Sequence, residues 1–162
     1  MSDQQSTDIT VRFRDAMATV CTPVAVVTAM DGERPHGTTV SAFASLSMSP
    51  PSLLVSLDQG SELLSLILGS GAFGINVLGS AQSALAAQFA RKGKDKFLDV
   101  AWRIDRSVPR IAGVPHWVAA EVMDTATVAD HTIVFGRALA VESEIVPPLT
   151  YHDRVFGTHA AL

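Results

Sequence analysis

Between Gly37 and Ser61 the chain gathers residues able to serve a polar ligand. The run Gly37-Thr38-Thr39-Val40-Ser41-Ala42-Phe43-Ala44-Ser45-Leu46-Ser47 mixes small hydroxyl residues with enough apolar ones to anchor a strand. Small side chains let a flat ligand approach the backbone. Amides and hydroxyls can then meet the polar edge of a heteroaromatic ring. An ordinary Ser/Thr-rich edge strand and loop has the same composition, and composition alone favours that plainer reading.

Other candidate chemistry thins out on inspection. Gly69-Ser70-Gly71-Ala72-Phe73-Gly74 spells G-x-G-x-x-G, with Asp95 at about the expected later spacing. That motif binds a dinucleotide only where it follows a strand and opens a helix. Here a helical segment precedes it and a strand follows, so it reads as a helix stop and a turn. The histidines His36, His116, His131, His152 and His159 form no H-x-H or H-E-x-x-H pair, and no metal site is expected. No serine sits in G-x-S-x-G. Cys21 reads as a small buried apolar residue, with a reactive thiol the minor alternative. Nothing assembles an acid, a base and a nucleophile, so a cofactor would have to carry the chemistry.

These residues need elements to position them. Residues 1–9 read as a disordered tail, ahead of one domain over 10–162. Asp8 or Thr10 is expected to cap a helix running to about Thr19, ended by Pro23. Val24 to Thr28 is β-branched and reads as a strand, turned back at Asp31-Gly32 into the Gly37 stretch. Leu53 to Leu57 follows the Pro50-Pro51 break as a buried strand. Ser61 caps a helix Glu62 to Leu68, and Phe73 to Leu78 alternates as a strand. Ser80 caps a helix to about Phe89, and Arg91 to Asp99 is a charged connection. Two long strands, Trp117 to Thr127 and Thr132 to Glu144, precede a short one near Leu149 to His152. Short connections between six or seven strands argue for a barrel or sandwich carrying short helices, not a doubly wound sheet.

Composition sets the outer limits. With 162 residues, nearly half of them apolar, the chain can bury the core of one domain. A net charge of −4 with no basic block argues against nucleic acid as a partner. The apolar runs Val24 to Val27 and Ser52 to Leu57 are too short to span a bilayer, so no membrane partner is expected. Met1 to Asp8 is polar and unlike a signal peptide, and a single cysteine excludes an internal disulfide. A cytoplasmic location is the resulting expectation. The mean hydropathy is positive, which is unusual for a small soluble domain and points to apolar area buried in a homodimer.

Read in order, Gly37 to Asp58 resembles the flavin reductases that serve two-component flavin monooxygenases. Matching pieces follow in the family's order: Ser61, Phe73 to Leu78, Gln82, Leu85-Ala86, Phe89-Ala90, Lys96-Phe97, Asp130-His131, Gly136, Pro148-Leu149 and Tyr151. The resemblance implies a mainly β chain with short helices, the Greek-key FMN-binding split β-barrel, usually dimeric. It implies NAD(P)H-dependent reduction of FMN or FAD, with reduced flavin passed to a separate oxygenase. A carrier or sensor that binds flavin without turnover is the alternative. Thr38, Thr39, Val40, Ser41, Ala42, Ala44 and Ser45 would line the flavin ring and ribityl chain. Gln59, Gly60 and Ser61 would meet the ribityl-phosphate end, with Arg91 and Lys92 as phosphate cations. His131, Tyr151, His152 and Arg154 match positions near the nicotinamide nucleotide, NADH or NADPH, and His131 is the candidate contact to the reacting nicotinamide. Asn76 would bond either the flavin or a neighbouring backbone. The family often has an aromatic pair followed by Arg-Gly after Pro-Leu. Here the residues are Tyr151-His152-Asp153-Arg154, a departure that leaves the nucleotide contacts open.

Overall fold

The computed structural model describes residues 2–93 and 95–162. A helix, α1 (Ser2–Ala18), leads into β1 (Thr22–Pro23), β2 (Ala25–Asp31), β3 (Arg34–Val40), β4 (Phe43–Met48) and β5 (Pro51–Asp58). Then come α2 (Glu62–Ser70), β6 (Ala72–Val77), a 3-10 turn over Ser80–Gln82, and α3 (Ser83–Ala90). The second half is β7 (Trp102–Asp105), β8 (Val108–Ile111), β9 (His116–Val128), β10 (His131–Ser143), β11 (Thr150–His152) and β12 (Val155–Gly157).

Seven strands form one antiparallel sheet in the order β3-β2-β6-β9-β10-β5-β4. Its two end strands are consecutive in the chain and are joined through Ser41-Ala42. The Ser56 N–H donates to the Ala42 carbonyl at 2.9 Å, so the chain leaves β2's side of the sheet and joins β5's side within two residues. The sheet therefore curls until its ends meet at the small-residue segment. This is the mainly β, helix-decorated architecture expected. Two smaller sheets, β1-β11-β12 and β7-β8, flank it.

β2 explains the curl energetically. Ala25, Val27 and Ala29 face a core with Leu63, Leu64 and Ile67 of α2, and with Val40, Val55, Phe73 and Val134. Val24 and Val26 face a second core with Leu78, Ala86, Phe89, Ile111 and Leu149. A strand buried on both faces reads as an unbroken apolar run, which is what Val24 to Val27 is. Asn76 ties this centre together. Its Nδ2 donates to the Val26 carbonyl and to Thr28 Oγ1, both at 3.2 Å, and its Oδ1 accepts from the Ile111 N–H at 2.9 Å. Asn76 is fully buried and bound to the protein itself, which favours the backbone alternative over a flavin contact.

Local signals mostly hold. Gly32 takes φ +59 in the Asp31-Gly32 hairpin turn. The G-x-G-x-x-G run is a helix stop: Gly71 sits at φ 71 with its N–H on the Ile67 carbonyl, and β6 follows at once. Three differences stand out. The helix α1 begins at Ser2 rather than at an Asp8 or Thr10 cap, so the expected tail over 1–9 is helical from Ser2, with Met1 outside the described residues. The hairpin β7-β8, and the strand β12 that pairs with the expected β11, go beyond the strands that the sequence suggests. Both hairpins turn on two residues with positive φ, Arg106-Ser107 and Asp153-Arg154, where no Asn-Gly or Asp-Gly announces the turn. Cys21 is exposed rather than buried, because it lies in the short link between α1 and β1. No described helix is long and apolar enough to cross a membrane.

Candidate functional site

The turn from β3 into β4 places the small-residue run beside the C-terminal hairpin. Thr39 and Ser41 share a pocket of ≈ 180 Å³ with Val24, Ala90, Tyr151 and Phe156. Tyr151 and Phe156 lie with ring centroids 5.3 Å apart, tilted by 57°, and form its aromatic side. β1 brings that hairpin in, because Thr22 pairs with Tyr151. Two residues assigned to different ligands, Ser41 for flavin and Tyr151 for nicotinamide, thus line one space.

The end of α3 links this space to a second one. Ala90 borders the first pocket, and the next residue, Arg91, opens a cleft of ≈ 410 Å³ lined by Gln88, Arg91, Lys92, Asp95, Lys96 and Asp99 among others. Arg91 and Lys92 are exposed, as anion-binding cations at a pocket mouth would be. Gln88 holds the cleft's far wall by donating to the carbonyls of Lys96 at 2.8 Å and Leu98 at 3.0 Å. Lys96 reaches across to β3, with its Nζ 3.1 Å from the Gly37 carbonyl and 3.0 Å from Thr38 Oγ1. The sequence pairs Lys96 with Phe97 only as a matching piece, and no local pattern marks it as a neighbour of Thr38. Burial pushes the Lys96 ammonium below its ordinary range, with Glu62 opposing. Burial likewise lowers His36, again against Glu62. Glu62 opens α2, whose N-cap Ser61 accepts from the Leu64 N–H at 3.4 Å. The N-terminal end of α2 therefore lies within electrostatic reach of Lys96.

Gln59 and Gly60 form the turn between β5 and α2, and the structure ties them to the β9-β10 turn. Gln59 Nε2 donates to the Ala129 carbonyl at 2.6 Å, and the Gly60 N–H donates to Asp58 Oδ1 at 2.7 Å. His131 pairs with Asp58 across the sheet and holds Asp130 through Nδ1 at 2.8 Å. His131 thus shares an end of the sheet with Gln59 and Gly60, whereas Tyr151 and His152 belong to the β1-β11-β12 sheet. Within one chain the nicotinamide candidates lie on two different sheets. Arg154 is committed elsewhere: its guanidinium meets Asp15 of α1 at 2.6 Å, and the neighbouring Asp153 N–H meets the Ala18 carbonyl at 2.7 Å. His152 lines a separate groove with Cys21 and Phe156. Val40 is turned into the core, while Ala42 in the link and Ala44 and Ser45 on β4 are exposed.

Spacing along the chain predicts no metal site, yet Asp58, Asp130 and His131 bring ligand atoms within 4.8 Å of one another. All three are exposed, and Asp58 already serves the Gly60 N–H. Nothing beyond this exposed cluster points to an ion there.

The flavin reductase like domain family matches residues 17–160. A probable flavin reductase of Rhizobium meliloti (strain 1021) is 37% identical over 141 residues, covering 86% of this chain and 45% of that one. This chain therefore spans less than half the length of that relative. The NADH-dependent flavin reductase StyB of Pseudomonas fluorescens is 35% identical over 129 residues, covering 79% of this chain and 75% of that one. Among solved structures, the styrene monooxygenase flavin reductase of Pseudomonas putida S12 superposes with a TM-score of 0.85 at 32% identity, over 93% of this chain and 98% of that one. With the family's domain running through all but the first sixteen residues and the last two, this chain belongs to the flavin reductase like domain family.

Proposed function

We propose that this protein is an NAD(P)H-dependent flavin reductase that hands reduced FMN or FAD to a separate monooxygenase. One observation carries the reading: Thr39, Ser41, Ala90, Tyr151 and Phe156 line one pocket whose rim continues into the cations Arg91 and Lys92. An apolar slot edged by hydroxyls suits a flat ring, and adjoining cations suit its phosphate. StyB and the styrene monooxygenase flavin reductase carry the proposed role in their names.

A bound flavin would supply the acceptor for a hydride, two electrons and one proton, leaving the nicotinamide as NAD(P)+. The chain's share is positioning. Thr38, Thr39, Ser41, Ala42, Ala44 and Ser45 hold the ring wall. Gln59, Gly60, Ser61, Arg91 and Lys92 hold the ribityl-phosphate end. Tyr151 and His131 flank the nicotinamide, which must lie at roughly 3–3.5 Å for transfer. No protein acid or base is needed for that step.

The functional unit in this proposal is a homodimer. A pocket of ≈ 180 Å³ falls short of the roughly 300 Å³ at which small-molecule sites begin. Exposed apolar side chains also crowd the sheet, with Leu46 and Met48 on β4, Met123 and Val128 on β9, and Leu139 and Val141 on β10. A second copy burying these would explain the apolar composition and could bring its own His131 to this chain's Tyr151. The exposed free thiol of Cys21 suits a reducing, cytoplasmic setting.

The test mixes purified protein with NADH or NADPH and FMN or FAD and follows the nicotinamide absorbance. Loss of absorbance with at least one pair supports reductase activity. Bound flavin without turnover points to a carrier, and no binding at all overturns the reading.

A further inference from the structure

Adjacent residues Thr38 and Thr39 hold opposite hydrogen-bonding roles. Thr39 Oγ1 donates to the Ala86 carbonyl at 2.6 Å, so its hydrogen is spent and its lone pairs remain. Thr38 Oγ1 receives an N–H from Lys96, which carries no acceptor. Among the described residues nothing accepts the Thr38 hydrogen, so that hydroxyl keeps a donor to offer. The same ammonium holds the Gly37 carbonyl, and the backbone of Lys96 is itself pinned by Gln88. One side chain thus latches the charged 91–99 loop to β3 and fixes the polarity of a hydroxyl on the proposed ring wall. Among the described residues no carboxylate lies within ion-pair distance of Lys96, so its charge is not spent on a neighbour.

We propose that Lys96 is a positioning residue for flavin binding: it makes Thr38 a hydrogen-bond donor to the flavin and keeps the loop of Arg91 and Lys92 against the ring wall. The inference rests on the flavin reductase reading above. A half-buried ammonium beside backbone and hydroxyl oxygens fits a group placed to orient rather than to react.

The test measures FMN affinity by fluorescence, together with steady-state constants, for wild type, Lys96→Met, Lys96→Arg, Thr38→Val, Thr38→Ser and the double variant Lys96→Met/Thr38→Val. Lys96→Met and Thr38→Val should each raise the FMN Kd about tenfold, the scale of one charge-assisted hydrogen bond. The loss should fall on the flavin KM more than on kcat, the split a positioning role makes and a general structural defect does not. Lys96→Arg and Thr38→Ser, which keep the donors, should recover most of the affinity. The double variant should be no worse than the poorer single one, since both remove one arrangement. Wild-type affinity in folded Lys96→Met or Thr38→Val, or additive losses in the double variant, would overturn the inference. If Lys96→Met does not fold, the Thr38 pair decides alone: Thr38→Val as tight as Thr38→Ser would sink it. A wild-type protein that binds no flavin would instead refute the underlying reading.

Discussion

His131 stands directly opposite Asp58 where β10 meets β5, and so sits at the Gln59-Gly60 end of the sheet rather than in the Tyr151 pocket. If His131 serves the nicotinamide, it does so from a different sheet than Tyr151. His131→Asn is expected to raise the KM for NADH about fivefold or more, the loss of one hydrogen bond, with FMN affinity within about twofold. The opposite split would assign His131 to the flavin-phosphate end.

Ser41 is exposed and borders the pocket that Tyr151 and Phe156 enclose. Ser41→Trp should fill that space and weaken FMN binding at least about tenfold while leaving the thermal midpoint nearly unchanged, since no core contact is lost. A folded variant with unaltered affinity would place the ring elsewhere.

Arg91 and Lys92 are expected to read phosphate charge. Replacing both with Ala should weaken FMN far more than riboflavin, which has the same ring without the phosphate. Raising salt should shrink the wild-type preference for FMN. Equal losses for the two flavins would remove the cations from the phosphate site.

Gly136 faces the core between β9 and β5. A Cβ there would meet Phe73 Cζ at 2.5 Å and Ala120 Cβ at 3.1 Å. Gly136→Ala should cost about 1–3 kcal/mol of stability through overpacking, read as a lower denaturation midpoint. A midpoint equal to wild type would show that Phe73 can move aside.

Burial lowers the pKa of His36 below its ordinary value of 6.5, although Glu62 pulls the other way. The folded chain therefore binds fewer protons than the unfolded one as pH falls below that value. Stability from this group is present above about pH 6.5 and is lost as pH drops toward the lowered folded pKa. His36→Gln should flatten the decline of the thermal midpoint between neutral and mildly acidic pH. An unchanged slope would assign the acid sensitivity to other groups.

Elements with strong local chemistry can be read along the chain. Val24 to Val27 is an uninterrupted apolar run buried on both faces, and Asp31-Gly32 and Ser61 mark a turn and a cap by their own conformational preferences, while the helix stop falls at Gly71, two residues past the Gly69 that the sequence suggests. The false dinucleotide motif was legible for the same reason, since helix and strand order can be read along the chain. The residues proposed for the ring wall form one ordered stretch because β3 and β4 are contiguous in the chain. Contacts between segments distant in the chain follow only from the folded arrangement. The β11-β12 turn uses Asp153 and Arg154 at positive φ, and Arg154 is drawn to Asp15, an ion pair 139 residues apart that no spacing rule foretells. The contact of Lys96 with Thr38 likewise spans 58 residues and exists only because Gln88 bends the charged loop back onto the edge of β3. His131 was legible as a candidate, but its neighbours were set by strand register, in which a slip of one residue would turn it to the other face.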